Sequence, residues 1–198
     1  CAEHGDAYTV RFYDHLDGFD ASVLDELDQI GSLMIDAKGP VSNLETVGRL
    51  PKLTRLGFAP LGKTGPNTLA LMGVQRLDYF LLAETATPPL DLAPLGEAQS
   101  LRTLRLLGIG KNVEAVGRCA ALTELSMHPS EKYALDFIGR LPRLEVLKFS
   151  LGKLRSISAI ESAPALRDLS FNLVNMLEDL GDLQRFPERF RFPEHRHR

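Results

Sequence analysis

Residues 57–64 read Gly-Phe-Ala-Pro-Leu-Gly-Lys-Thr and match the phosphate-binding pattern G-x-x-x-x-G-K-T. In that pattern backbone N–H groups cradle the phosphates, the lysine reaches the terminal ones, and the hydroxyl binds Mg²⁺. Gly62, Lys63 and Thr64 would fill those roles here. The same chemistry needs a helix starting at the Lys-Thr, because the helix N-terminus completes the anion site. Instead Gly65-Pro66-Asn67 follows, which reads as a turn, and Pro66 biases Gly65 away from helical geometry. The next apolar stretch ends in Glu84 where a metal-binding aspartate would be wanted. A nucleotide-binding enzyme working through Gly57–Thr64 is therefore the alternative reading of function and not the leading one.

Other residues with reactive side chains are sparse. Ser126 and His128 alternate along one segment and so share a face. A hydroxyl beside an imidazole is no triad without an orienting acid and an oxyanion hole. Cys119 occupies a slot that other parts of the chain fill with Leu50, Leu141 or Ala163, which reads as a small core residue. Cys1 and Cys119 are the only two cysteines, too few for a disulfide scaffold or a zinc-ligand set. His195 and His197 end the chain in a basic run, and a terminal tail of this kind reads as solvated. No catalytic residue, cofactor or metal is assigned from the sequence.

The elements that would carry any site emerge from a repeat. Segments Leu53–Phe58, Leu101–Leu106, Leu122–Met127, Leu144–Phe149 and Leu166–Phe171 share the template L-x-x-L-x-φ, φ being apolar. Residues 77–82 and 30–35 fit with Phe80 and Ile30, and weaker copies stand at 7–12 and 187–192. The fourth-position residues are Val10, Leu33, Leu56, Phe80, Leu104, Leu125, Leu147, Leu169 and Phe190, spaced 21–24 residues apart. Between copies, apolar residues recur every third position: Leu44, Val47, Leu50, Leu53, and likewise the sets starting at Leu92, Val113, Leu135 and Ile157. A period near three predicts short helical or 3₁₀ stretches with one face inward. The longest such stretch is expected at 21–30, an α-helix capped by Asp20 or Ser22 and burying Leu24 and Leu27. Each copy is thus strand, loop and helical return, and only stacking buries both apolar sets.

This template resembles the leucine-rich repeat, in its short bacterial, internalin-like class, over about residues 7–192. The resemblance implies an α/β solenoid, right-handed, with about nine short parallel strands on a concave face and helical or 3₁₀ returns on the convex face. The family carries Asn or Cys five residues after the fourth-position leucine. Here those positions hold Leu61, Thr85, Ile109, Ser130, Gly152 and Val174, so the loops after the strands are expected to be less regular.

In such a sheet the third, fifth and seventh template positions face outward. Around copies three to five they place Arg55, Tyr79, Leu81, Arg105 and Leu107 together. Aromatic and arginine anchors among apolar neighbours have the composition of an interface centre. Loops 59–68 and 83–91, with Pro60, Pro66, Pro88 and Pro89, are expected to stiffen its rim, or to cover Leu81 and Leu107 within the monomer. The leading expectation is a non-enzymatic module that binds a protein partner on its concave face, in an inhibitor, immunity or recognition role. An architectural segment of a larger repeat protein is the other alternative.

Composition bounds the rest. At 198 residues and 44% hydrophobic, with no Pro/Gly/Ser-rich linker, one repeat domain over 1–198 is expected. The first 36 residues hold nine acids against Arg11, which suits an acidic N-terminal cap at 1–29, and residues 193–198 form a basic tail. A net charge of −3 argues against nucleic acid. No apolar run reaches the roughly 18 residues of a membrane span. A cytoplasmic protein is expected, or a cell-envelope lipoprotein if Cys1 is a mature N-terminus.

Overall fold

The structure, a computed structural model, describes residues 9–15, 17–63, 67–83, 88–108, 110–179 and 190–191. Cys1, Thr64, Gly65, Pro66, Glu84, Thr85, Ile109, His195 and His197 lie outside them.

Nine strands form one parallel sheet in chain order. They are Thr9–His15, Ser32–Ala37, Arg55–Pro60, Tyr79–Leu82, Thr103–Leu106, Glu124–Met127, Val146–Lys153, Asp168–Asn175 and Phe190–Arg191. Every fourth-position residue stands directly beside its equivalent in the next coil, from Val10 beside Leu33 to Leu169 beside Phe190. A slip of one residue in any coil would turn its leucines out to solvent, so burial itself sets this register. Leu56, Phe80, Leu104, Leu125 and Leu147 are fully buried. Each such side chain contributes about 1.5–3 kcal/mol relative to leaving it in water.

Among the described residues the returns run behind the sheet as eight short helices. Only Glu45–Arg49 and Thr68–Leu71 are α-helical; Val74–Arg76, Ala93–Glu97, Val113–Arg118, Leu135–Arg140 and Ser158–Ile160 are 3₁₀. No residue of the five period-three sets exceeds 7% exposure. Eclipsed side chains three apart suit a 3₁₀ turn, which brings one apolar row inward at every turn.

The 21–30 segment differs from expectation. It is a single 3₁₀ turn, Ala21–Leu24, and not an α-helix. Asp20 does cap it, its carboxylate accepting from the Ser22 N–H at 2.9 Å, and Leu24 is fully buried. Leu27 is only partly buried against the core. Within a coil this short the chain must turn back to the sheet before a second α-helical turn can form.

Polar side-chain links between coils stand at the mouths of the returns. Asn43 donates to Asp20 at 2.7 Å, Asn112 to Asp91 at 2.8 Å, and Ser156 to Asp179 at 2.7 Å. Asn43 and Asn112 take left-handed backbone conformations, which asparagine tolerates better than most residues. Two-residue parallel bridges accompany the first two links, Phe19–Asp20 with Val41–Ser42 and Leu90–Asp91 with Gly110–Lys111. Farther along the convex side, arginines tie several returns to the one before. Arg140 donates to the Glu114 carbonyl at 3.2 Å, and Arg76 to the carbonyls of Gly48 and Leu50. Gly117 lets Arg140 lie close, since a Cβ there would sit 2.9 Å from its Nε.

Candidate binding face

Outward residues of the sheet form rows across the coils, and the ladder fixes which of them touch. The fifth-position row places Gly57 between Met34 and Leu81, with Arg105 beyond Leu81. Gly57 has no side chain to contribute, and Met34 lies over it so closely that a Cβ would run into the thioether. Around them lies a hollow of about 400 Å³ on the open face, lined by Arg11, Met34, Arg55, Gly57, Tyr79 and Leu81 among others. The Arg55 guanidinium lies 4.5 Å from the centre of the Tyr79 ring, a cation–π contact that holds it over the sheet. A second hollow of about 290 Å³ adjoins it, sharing Arg11 and Met34 and reaching Tyr13, Asp36 and Leu61.

Charge along this face is unevenly compensated. At the N-terminal end Arg11 Nε donates to Asp36 Oδ2 at 2.6 Å. Toward the C-terminal end Lys148 pairs with Glu124 at 2.7 Å. Between these pairs, Arg55 and Arg105 are exposed and have no acidic partner among the described residues. Asp36 Oδ1 is buried beside the second hollow without a hydrogen-bond donor among the described residues.

The five residues singled out in the sequence do not share one hollow. Arg55, Tyr79 and Leu81 do; Arg105 neighbours Leu81 on the next strand. Leu107 lines a separate hollow of about 380 Å³ with His128, Pro129 and Leu151. It stands two residues past Arg105, where the sheet gives way to the rim. Leu81 and Leu107 are both half-buried. Pro60 belongs to the strand and is buried, so it stiffens no loop; Pro66 lies outside the described residues.

Reading by columns missed two features. One is the hollow itself, lined by residues of several coils. The other is at the C-terminal rim, where Leu151 and Leu173 stand 57% and 60% exposed in equivalent positions of neighbouring coils. Both have positive φ, 51° and 54°, a backbone state uncommon for leucine. No template position accounts for them.

The remaining chemical candidates resolve simply. Gly57–Pro60 of the G-x-x-x-x-G-K-T match is strand, not a loop wrapped around an anion. Gly62 packs against the Gly39 carbonyl of the preceding coil, and the nearest following helix begins at Thr68. Ser126 is buried and Glu124 is engaged by Lys148 rather than orienting His128. Burial holds the His128 imidazole below its ordinary value, against a hydrogen bond with the Leu107 backbone that raises it. Cys119 is fully buried and donates from Sγ to the Leu95 carbonyl at 3.1 Å. Burial pushes its thiol up to about 11, with Arg118 acting weakly the other way. Among the described residues no three His, Cys, Asp or Glu side chains gather to hold a metal, and no helix is long and apolar enough to cross a membrane.

One parallel ladder in a single register, closed behind by short helical returns, defines a repeat solenoid. Its fold is that of a leucine-rich-repeat solenoid. The chain matches no protein-family model, and no curated protein resembles it significantly in sequence. Among solved structures it is similar to internalin C2 from Listeria monocytogenes, with a TM-score of 0.59 and 18% identity over 92% of this chain and 80% of that one. An internalin, inlF, from the same organism matches 76% of this chain at 16% identity with a TM-score of 0.49. A leucine-rich-repeat protein of Leptospira interrogans matches 84% at 17% identity with a TM-score of 0.47. The chain spans about half the length of these last two, 51% and 52%.

Proposed function

We propose that the protein is a non-enzymatic interaction module that grips a protein partner on its concave face. The observation that carries this is the hollow at Gly57, lined in part by Met34, Tyr79 and Leu81, with Arg55 held over Tyr79 at its edge. Arginine and aromatic side chains on a partly apolar surface are the usual anchors of protein recognition. The sheet is also large enough. Nine strands at about 4.8 Å spacing extend roughly 40 Å, enough to supply its half of a standard interface of about 1,600 Å². An inhibitor, immunity or recognition role is the finer reading, supported by the resemblance to short-repeat proteins and by no residue of the face in particular.

Residues Arg55, Tyr79, Leu81 and Arg105 are assigned to the centre of this face and Leu107 to its rim. The test compares partners recovered by the wild-type protein with those recovered by a Tyr79→Ala/Arg105→Ala double variant. Loss of a wild-type partner from the variant is expected. Recovery of the same partners in equal amounts by both proteins would remove the assignment.

A further inference from the structure

We infer that the concave face recognises a short acidic segment of its partner, two carboxylates flanking an apolar side chain. This deepens the proposed function and rests on it. The starting point is the charge compensation along the open face. Of its cations, Arg11 is held by Asp36 and Lys148 by Glu124, each across neighbouring strands. Arg55 and Arg105, in the middle of the sheet, have no acid paired with them among the described residues.

Their placement defines what fits. Arg55 aligns with Tyr79 and then Thr103, while Arg105 aligns with Leu81 and then Gly57. The two arginines are therefore two strands and two residues apart, about 12 Å between Cα positions. The line between them passes across Tyr79 and Leu81, and the Gly57 hollow opens beside it. A guanidinium pairs with a carboxylate through two parallel N–H donors, so each arginine can take one acid in a defined geometry. Stacking on Tyr79 already orders Arg55, so less freedom is lost when a carboxylate arrives. The apolar side chain between the two acids would enter the hollow beside them, against Met34, Tyr79 and Leu81.

The surrounding charges limit the length of the segment. Asp36, Glu124 and Asp168 all belong to outward columns of the same sheet, on either side of the arginine pair. Asp36 and Glu124 already neutralise Arg11 and Lys148, so the uncompensated positive charge in the middle of the face is confined to the arginine pair. A long polyanion such as a nucleic acid needs a longer run of cations, whereas a short acidic stretch matches this one. The surface thus favours a peptide segment with locally concentrated charge.

The experiment is selection of a displayed random-peptide library on the full chain, with three proteins compared: wild type, Arg55→Gln/Arg105→Gln and Leu81→Asp. Thermal melts of each confirm folding, since all three substituted positions are at least partly exposed. Expected are peptides enriched in Glu and Asp around an apolar residue on the wild type. Their binding should fall about tenfold or more in the double glutamine variant, as two charge-assisted contacts are lost. It should also weaken steeply as salt rises past physiological strength. Neutral or basic peptides that depend on Leu81 but not on the two arginines would overturn the acidic inference and leave the concave-face reading standing. Enrichment that is indifferent to Leu81→Asp as well, or no enrichment at all, would overturn both. A labelled single-stranded oligonucleotide bound more tightly than the acidic peptides would also overturn it.

Discussion

At the scale of single residues, the inward and outward rows separate what holds the protein together from what it can offer a partner. Leu104 and Arg105 are neighbours in one strand and sit on opposite sides of it. Leu104 is fully buried, whereas Arg105 is exposed and makes no ion pair among the described residues. Leu104→Ala should cost about 2–5 kcal/mol, the lost burial plus the cavity left behind. Arg105→Ala should cost under about 0.5 kcal/mol, as expected of a surface side chain without a structural partner. Urea unfolding of the two variants measures this directly, and equal losses would mean that the two faces are reversed.

At the scale of elements, the stacked returns depend on small polar devices. Asp91 accepts from the Ala93 N–H at 2.9 Å and from Asn112 at 2.8 Å, so it caps its own return and fastens it to the next. The Ala93 bond and then the Asn112 bond hold its carboxyl below the ordinary value of 3.8. Asp20 is lowered in the same way, first by Asn43 and then by Ser22. A carboxyl whose folded-state value is depressed contributes stability that is present above its unfolded value and lost as pH falls through the folded one. The wild type should therefore be more stable than Asp91→Asn at neutral pH. The gap should close as pH drops below the ordinary aspartate value. Thermal melts of both proteins over that range check it, and a gap independent of pH would show that the charge on Asp91 contributes nothing.

At the scale of the whole molecule, each coil packs against its neighbours and little else, so stability is transmitted along the array by contact. The fully buried residues of coil five lie midway between the ends. Leu104→Asp would put an unpaired charge into that coil, where burial without a partner is costly. The expected outcome is uncoupling rather than uniform weakening. Amide exchange should accelerate most in strand Thr103–Leu106 and its two neighbours, and least in the strands farthest away. Equal acceleration in all nine strands would show that the array unfolds as one unit.

How much of this was legible in the chain depends on whether a feature belongs to a period or to a contact. The nine fourth-position residues, the period-three returns and the burial of Cys119 all follow from local spacing, because a strand that must bury one face leaves its leucines only one register. The identity of the return at 21–24 did not follow. Capping by Asp20 was readable, but the turn's length is limited by the distance back to the sheet. Nor could the sequence show that Arg11 and Lys148 are compensated while Arg55 and Arg105 are not, since each acid that decides this is 24 or 25 residues away. The hollow at Gly57 and the exposed pair Leu151 and Leu173 were likewise decided by tertiary structure. A column of residue types says which side chains face outward. Only the stacking of coils says which of them meet, which are shielded and where a hollow opens between them.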